Sequence, residues 1–259
     1  MRTLAALAVP LALAVPAAAA VKSEPVTYTH DGNTFKGVLV YDDAQAGKRP
    51  GVLVIHEWWG LDDYAKKRAE QLAGLGYVAF ACDMYGDGKH VDHPADAKGL
   101  ADGVRKNVDV WQGRAKAALK VLADSDKVDP TKLAAIGYCF GGSTALQLAY
   151  SGADLKAVVT FHAALPTPTP EQAKAIKGKV AVCHGADDFF IPKEAIEKFR
   201  AALDAAKVDY RFEEYPGAVH SFTVPGADKH MIKGMAYHAE ADKKSWETMK
   251  TTFTTAFGK

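Results

Sequence analysis

Short apolar, β-branched runs recur along this chain with amphipathic helical stretches between them, and that alternation limits the fold more than any other feature. Strand-length runs stand at 52–56, 78–82, 133–137, 157–161, 180–184 and 211–215. Apolar periodicity predicts helices over 62–75, 108–123, 142–150, 193–206 and from about 237 to 257. Two further runs, 26–29 and 34–40, flank the turn Asp31-Gly32-Asn33 and read as a hairpin. Strands separated by helices close as right-handed crossovers, so the pattern implies a mostly parallel sheet with helices on both faces. The expectation is an eight-stranded α/β domain over 21–259. A chain of 259 residues suits one such domain, and no internal repeat or linker divides it. Thr167-Pro168-Thr169-Pro170 reads as a loop inside the same alternation.

The first twenty residues do not fit the alternation. Met1-Arg2 is a basic start, Leu4 to Val15 is apolar apart from Pro10, and Ala18-Ala19-Ala20 is a small-residue cleavage site. Together they read as a secretory signal peptide over 1–20, too short for a membrane span. A periplasmic or secreted protein is expected, with no membrane attachment once the leader is removed. The formal charge is +1, and losing Arg2 with the leader leaves the mature chain neutral. A balanced chain lacks the basic footprint of nucleic-acid binding, so nucleic acid is not an expected partner. Export permits disulfides, yet there are three cysteines, Cys82, Cys139 and Cys183, so at least one thiol stays free. None forms a C-x-x-C unit, which argues against a zinc site or a thioredoxin-like pair.

Gly137-Tyr138-Cys139-Phe140-Gly141-Gly142 follows a predicted strand and opens a predicted helix. That is the context of a nucleophile elbow, in which small residues permit a sharp turn and the central side chain projects above the sheet. Here the central residue is Cys139, and a helix N-terminus favours a thiolate. The alternative is a buried structural cysteine beside a glycine-packed turn. Such a nucleophile needs a base, and the base needs an orienting acid. Downstream, Asp187-Asp188 follows the strand at 180–184, and His220 follows the strand at 211–215. Nucleophile, acid and histidine thus come in the chain order of an α/β-hydrolase, each on a loop at one edge of the sheet.

With these residues in view, the mature chain resembles the dienelactone hydrolases of the α/β-hydrolase superfamily. The resemblance is carried by His56-Glu57-Trp58-Trp59-Gly60, Asp83-Met84-Tyr85-Gly86, the cysteine elbow, the G-x-x-D-x-x-I-P stretch ending at Pro192, and Gly217-Ala218-Val219-His220-Ser221-Phe222. It implies an α/β-hydrolase fold and a Cys139–Asp188–His220 triad. Asp188, not Asp187, takes the acid's place, four residues before Pro192. Glu57 takes the place of a glutamate that contacts the resting thiol and is displaced when substrate binds. The implied reaction is hydrolysis of a small-molecule ester or lactone through a thioester, with the oxyanion held by the backbone N–H groups of Phe140 and Trp58. No metal or organic cofactor is implied, and a monomer or small homo-oligomer is expected. A thioesterase or acyl transferase using the same triad, or a silent binding module, are the competing readings.

Other residues are weaker candidates. Trp58, Trp59, Tyr85, Phe189, Phe190 and Ser221 flank the catalytic positions and are expected to line an apolar substrate pocket. His56 lacks the second histidine of H-E-x-x-H, since Gly60 stands there. His90-Val91-Asp92-His93 reads as a solvated loop, not a metal site, and His162 and His184 as hydrogen-bonded rim histidines. Family members that open dienelactone hold its carboxylate with arginines, one shortly after the catalytic histidine. Here Thr223-Val224-Pro225-Gly226 follows Phe222 without a cation. An uncharged, partly apolar ester or lactone is therefore the expected substrate, with Lys98 and Arg105 the nearest cations that could reach a carboxylate.

Overall fold

The computed structural model describes residues 21–258; the expected leader at 1–20 lies outside the described residues. Eight strands form one sheet: β1 (Val21–His30), β2 (Asn33–Asp42), β3 (Arg49–Ile55), β4 (Val78–Cys82), β5 (Val128–Tyr138), β6 (Ala157–Phe161), β7 (Lys179–Gly185) and β8 (Tyr210–Tyr215). Their order is β1-β2-β4-β3-β5-β6-β7-β8, with β1–β2 and β2–β4 antiparallel and every other pair parallel. The hairpin turns through Asp31 and Gly32, both with positive φ, the type I′ geometry that matches the twist of paired strands.

Among the described residues seven α-helices cover the sheet: α1 (Asp63–Gly74), α2 (Pro94–Arg105), α3 (Val108–Ala123), α4 (Phe140–Tyr150), α5 (Pro170–Ala175), α6 (Lys193–Ala205) and α7 (Ala239–Phe257). Side chains on β3 alternate between two cores, as a period of two requires. Val52 and Val54 pack with Ala65, Ala69 and Leu72 of α1 and with Met249 and Phe253 of α7. Leu53 and Ile55 face the opposite core with Trp111, Ala115 and Leu122 of α3. Among the described residues no helix is long and apolar enough to cross a membrane.

Two helices depart from the sequence expectation. α2 forms where none was predicted, because Ala97, Ala101 and Val104 bury a narrow stripe of small residues that periodicity barely registers. Pro94 opens it, and His93 caps it by accepting from the Ala95 amide at 3.2 Å. α5 occupies part of the expected loop. Thr169 and Gln172 form a reciprocal capping box there, with Pro170 at the first helical position, a signature legible in the sequence.

The order of β4, β3 and β5 positions the site. From β3 the chain runs outward to β4 and then crosses back to β5 on the other side. Loops leaving β3 and β5 therefore part, which opens a crevice beyond the carboxyl ends of the strands.

Candidate active site

Cys139 sits between β5 and α4 with φ 51° and ψ −112°, a conformation that costs a non-glycine residue roughly 1–3 kcal/mol. The surrounding backbone enforces it. A Cβ on Gly137 would lie 2.0 Å from the Gly141 carbonyl oxygen, and one on Gly141 would lie 2.2 Å from that of Ile55. Glycine at 137 thus lets the end of β5 close on the start of α4, and glycine at 141 presses the elbow against the end of β3. The Cys139 amide is tied to Phe161 O at 3.0 Å. Since α4 begins at Phe140, its first N–H groups have no acceptor within the helix.

Asp188 is buried on the loop after β7, where its Oδ1 accepts the Phe190 amide at 3.0 Å and its Oδ2 lies 2.7 Å from His220 Nδ1. Asp187, its neighbour, is exposed. His220 is fastened by its own backbone: its amide donates to Gly234 O, and its carbonyl accepts from the Ala236 amide. Burial alone would make the imidazole harder to protonate. A thiolate formed at Cys139, together with the Asp188 carboxylate, outweighs burial and raises His220 well above its ordinary value.

Glu57 is buried beside this group and accepts the Ser221 hydroxyl at 2.8 Å. Burial, followed by the nearby charge of Asp62, raises its carboxyl to about 7, against smaller opposing effects of His220 and the Ser221 hydrogen bond. His56 has both ring nitrogens engaged. Nε2 accepts the Met84 amide at 3.1 Å, leaving Nδ1–H to donate to the Glu57 carbonyl. Burial keeps this ring neutral, and its role is to brace the loop.

Cys139, His220, Trp58, Phe190 and Ile191 line a cavity of about 250 Å³, closed on its other sides by Ala164, Ile232 and Met235. Among the described residues Arg105 is the one arginine or lysine on this wall, its guanidinium 5.2 Å from the centre of the Phe140 ring. A hollow of similar size between Tyr41 and Lys127 holds none of the candidate catalytic groups.

Four residues expected in the pocket wall stand elsewhere. Trp59 is buried, its ring stacked on His230 at 4.1 Å, and so lies under the wall. Tyr85 also lies behind it, its hydroxyl donating to the Trp58 carbonyl at 2.8 Å and thereby holding Trp58 in place. Asp83 orders that loop by accepting the amides of Lys36, Tyr85, Gly86 and Gly88. Ser221 is fully buried and committed to Glu57, and Phe189 is 59% exposed, packed on Gly234 outside the cavity. The wall residues that sequence reasoning missed, Ala164, Ile232 and Met235, come from irregular segments after β6 and β8, where no periodicity marks them. Of the two cations left open, Arg105 faces the cavity with Asp102 Oδ1 4.0 Å from its guanidinium, whereas Lys98 pairs with Asp102 and does not line the cavity. His90 is drawn into a backbone bridge with Gly60, His184 is buried at the end of β7, and the three cysteines are free.

The model of the dienelactone hydrolase family matches residues 35–257. A solved structure named m3DLH is 44% identical, with a TM-score of 0.89 over 91% of this chain and 98% of its own. A dienelactone hydrolase-like promiscuous phosphotriesterase from metagenomic libraries is 40% identical, with a TM-score of 0.89 over 92% of this chain and 99% of its own. Protein usf of Aquifex pyrophilus is 33% identical over 178 residues, covering 67% of this chain and 76% of that protein.

Proposed function

Because the chain belongs to the dienelactone hydrolase family, whose members hydrolyse ester bonds, we propose that it cleaves a lactone or carboxylic ester through a thioester on Cys139. The observation that carries this reading is the pairing of His220 with Asp188 at 2.7 Å, on the wall of the cavity that also exposes Cys139. The Cys139 proton passes to His220 Nε2, and the thiolate attacks the carbonyl carbon. Amide N–H groups of Phe140 and Trp58 receive the oxyanion. His220 returns its proton to the leaving alkoxide as the tetrahedral intermediate collapses to the thioester. Water then attacks the thioester while His220 takes its proton, and release of the acid restores the thiol. Asp188 keeps the imidazole in the tautomer that presents Nε2 to sulfur and stabilises its cationic form. In a lactone the alkoxide stays attached, so the product is one hydroxy acid.

The cavity is apolar apart from Arg105 and the catalytic pair, which suits an ester with an apolar body. The leader at 1–20 would deliver the enzyme to the periplasm or the medium. The test is hydrolysis of a nitrophenyl ester by the wild type, by the wild type after thiol alkylation, and by Cys139→Ala. Alkylation and the substitution are both expected to abolish turnover, while Cys139→Ser keeps only weak activity, since a hydroxyl ionises far less than a thiol. Full turnover in folded Cys139→Ala would overturn the assignment.

A further inference from the structure

His162, on the loop after β6, is fully buried and holds φ 40°, a region that a bulky side chain enters only under strain. A chain of hydrogen bonds orients its ring. Arg68 Nε donates to the Tyr64 hydroxyl at 3.1 Å, and that hydroxyl donates to Thr223 Oγ1 at 2.6 Å. The Thr223 proton is then left for His162 Nε2, 2.7 Å away. With Nε2 accepting, the ring proton must sit on Nδ1. That N–H has no hydrogen-bond partner, although it is buried and stands 3.7 Å from Glu57 Oε1. An unmade bond of this kind is costly to bury, and a displacement of under an ångström by the carboxylate would complete it.

We propose that His162 is a positioning residue for Glu57: its Nδ1–H captures the Glu57 carboxylate when that group ionises and shifts toward the ring. The inference rests on the cysteine-hydrolase reading above. Ser221, which holds the same carboxylate oxygen, also has a left-handed φ of 55°, so both donors are presented from strained loops. The charged and titratable groups around Glu57 are Asp62 and Tyr64 from α1 and its cap, His162 from the loop after β6, and His220 from the loop after β8. Burial, reinforced by His220, keeps His162 neutral over the range in which Glu57 titrates, so it acts as a neutral donor and not as an ion-pair partner.

The test is the titration of Glu57, followed by carbon NMR of the full-length protein labelled at glutamate carboxyls, with Glu57→Gln assigning the signal. His162→Gly removes the donor while suiting the positive φ, and His162→Asn keeps an amide donor and tolerates that φ. Loss of a hydrogen bond to a carboxylate should raise the Glu57 midpoint by about one pH unit in His162→Gly, while His162→Asn stays close to the wild type. An unmoved midpoint in folded His162→Gly, or an equal shift in both variants, would overturn the proposal. Nitrophenyl ester hydrolysis by Cys139→Ala separates the two readings: if it persists, the hydrolase mechanism falls, whereas dependence on Cys139 with an unmoved midpoint removes only the role of His162.

Discussion

Replacing Glu57 by glutamine should make the protein more stable at alkaline pH, and the size of the gain follows from its surroundings. The carboxyl is 2% exposed and titrates at about 7 in the folded chain, against 4.5 for an unperturbed glutamate. Between these values the folded state holds a proton that the unfolded state has released. Stability therefore falls as pH rises through that window. At about 1.4 kcal/mol per pH unit, the loss is about 3 kcal/mol by pH 8. The substituted glutamine carries no charge at any pH and still offers an amide oxygen to the Ser221 hydroxyl. Its amide protons bring a desolvation cost of about 1–2 kcal/mol, but that cost does not change with pH. The expected signature is a stability difference that swings by about 3 kcal/mol in favour of Glu57→Gln between pH 4.5 and 8. Urea unfolding of both proteins at pH 4.5, 6 and 8 measures it, with the thermal midpoint moving by roughly 6–12 °C over the same range. A difference that stays constant with pH would show that Glu57 ionises normally, and the account of its burial would fail.

Asp188→Asn confronts the new amide with two donors, the His220 Nδ1–H and the Phe190 N–H, while it has one acceptor to offer. Nitrophenyl ester turnover should fall by about two to four orders of magnitude, whereas exposed Asp187→Asn stays within about threefold; reversed effects would move the acid by one residue. In Gly141→Ala the new Cβ would meet the backbone oxygens of Ile55 and His56 at 2.2 and 2.5 Å, so unfolding should become easier by about 3 kcal/mol or more and activity should vanish. Gly99→Ala, which meets nothing on the exposed face of α2, should instead stabilise by about 0.5–1 kcal/mol, and equal effects in calorimetry would refute the packing argument. Arg105→Met should lower kcat/KM for a lactone bearing a free carboxylate by about ten- to a hundredfold and leave its methyl ester nearly unchanged. Equal losses on both substrates would give Arg105 a packing role only.

Much of this protein was legible in the sequence because it depends on local order. Strand and helix alternation specified a parallel sheet, since each element's own periodicity decides which face it buries. Gly137, Cys139 and Gly141 marked the elbow because only a glycine at 141 lets backbone pass that close to Ile55, and only a glycine at 137 lets it pass that close to Gly141. Asp188 and His220 were legible as residues that follow strands, and parallel strands deliver such residues to one edge. α5 carried a readable capping box that its prolines disguised, while α2 hid in a stripe of alanines too weakly apolar to show a period.

Tertiary structure decided what lies between those anchors. Whether an aromatic residue lines the cavity or supports it depends on the direction of its loop, so Phe190 faces the cavity while Trp59 and Tyr85 stand behind it. Arg105 enters the wall because α2 forms and packs beside Phe140, an outcome no spacing encodes. The elevated Glu57 carboxyl and the unpartnered Nδ1 of His162 arise from residues more than a hundred positions apart buried against each other. Local pattern thus chose the fold and named the candidate reactive side chains. Burial and long-range hydrogen bonding, which depend on every chain segment that closes over the site, set their protonation and their neighbours.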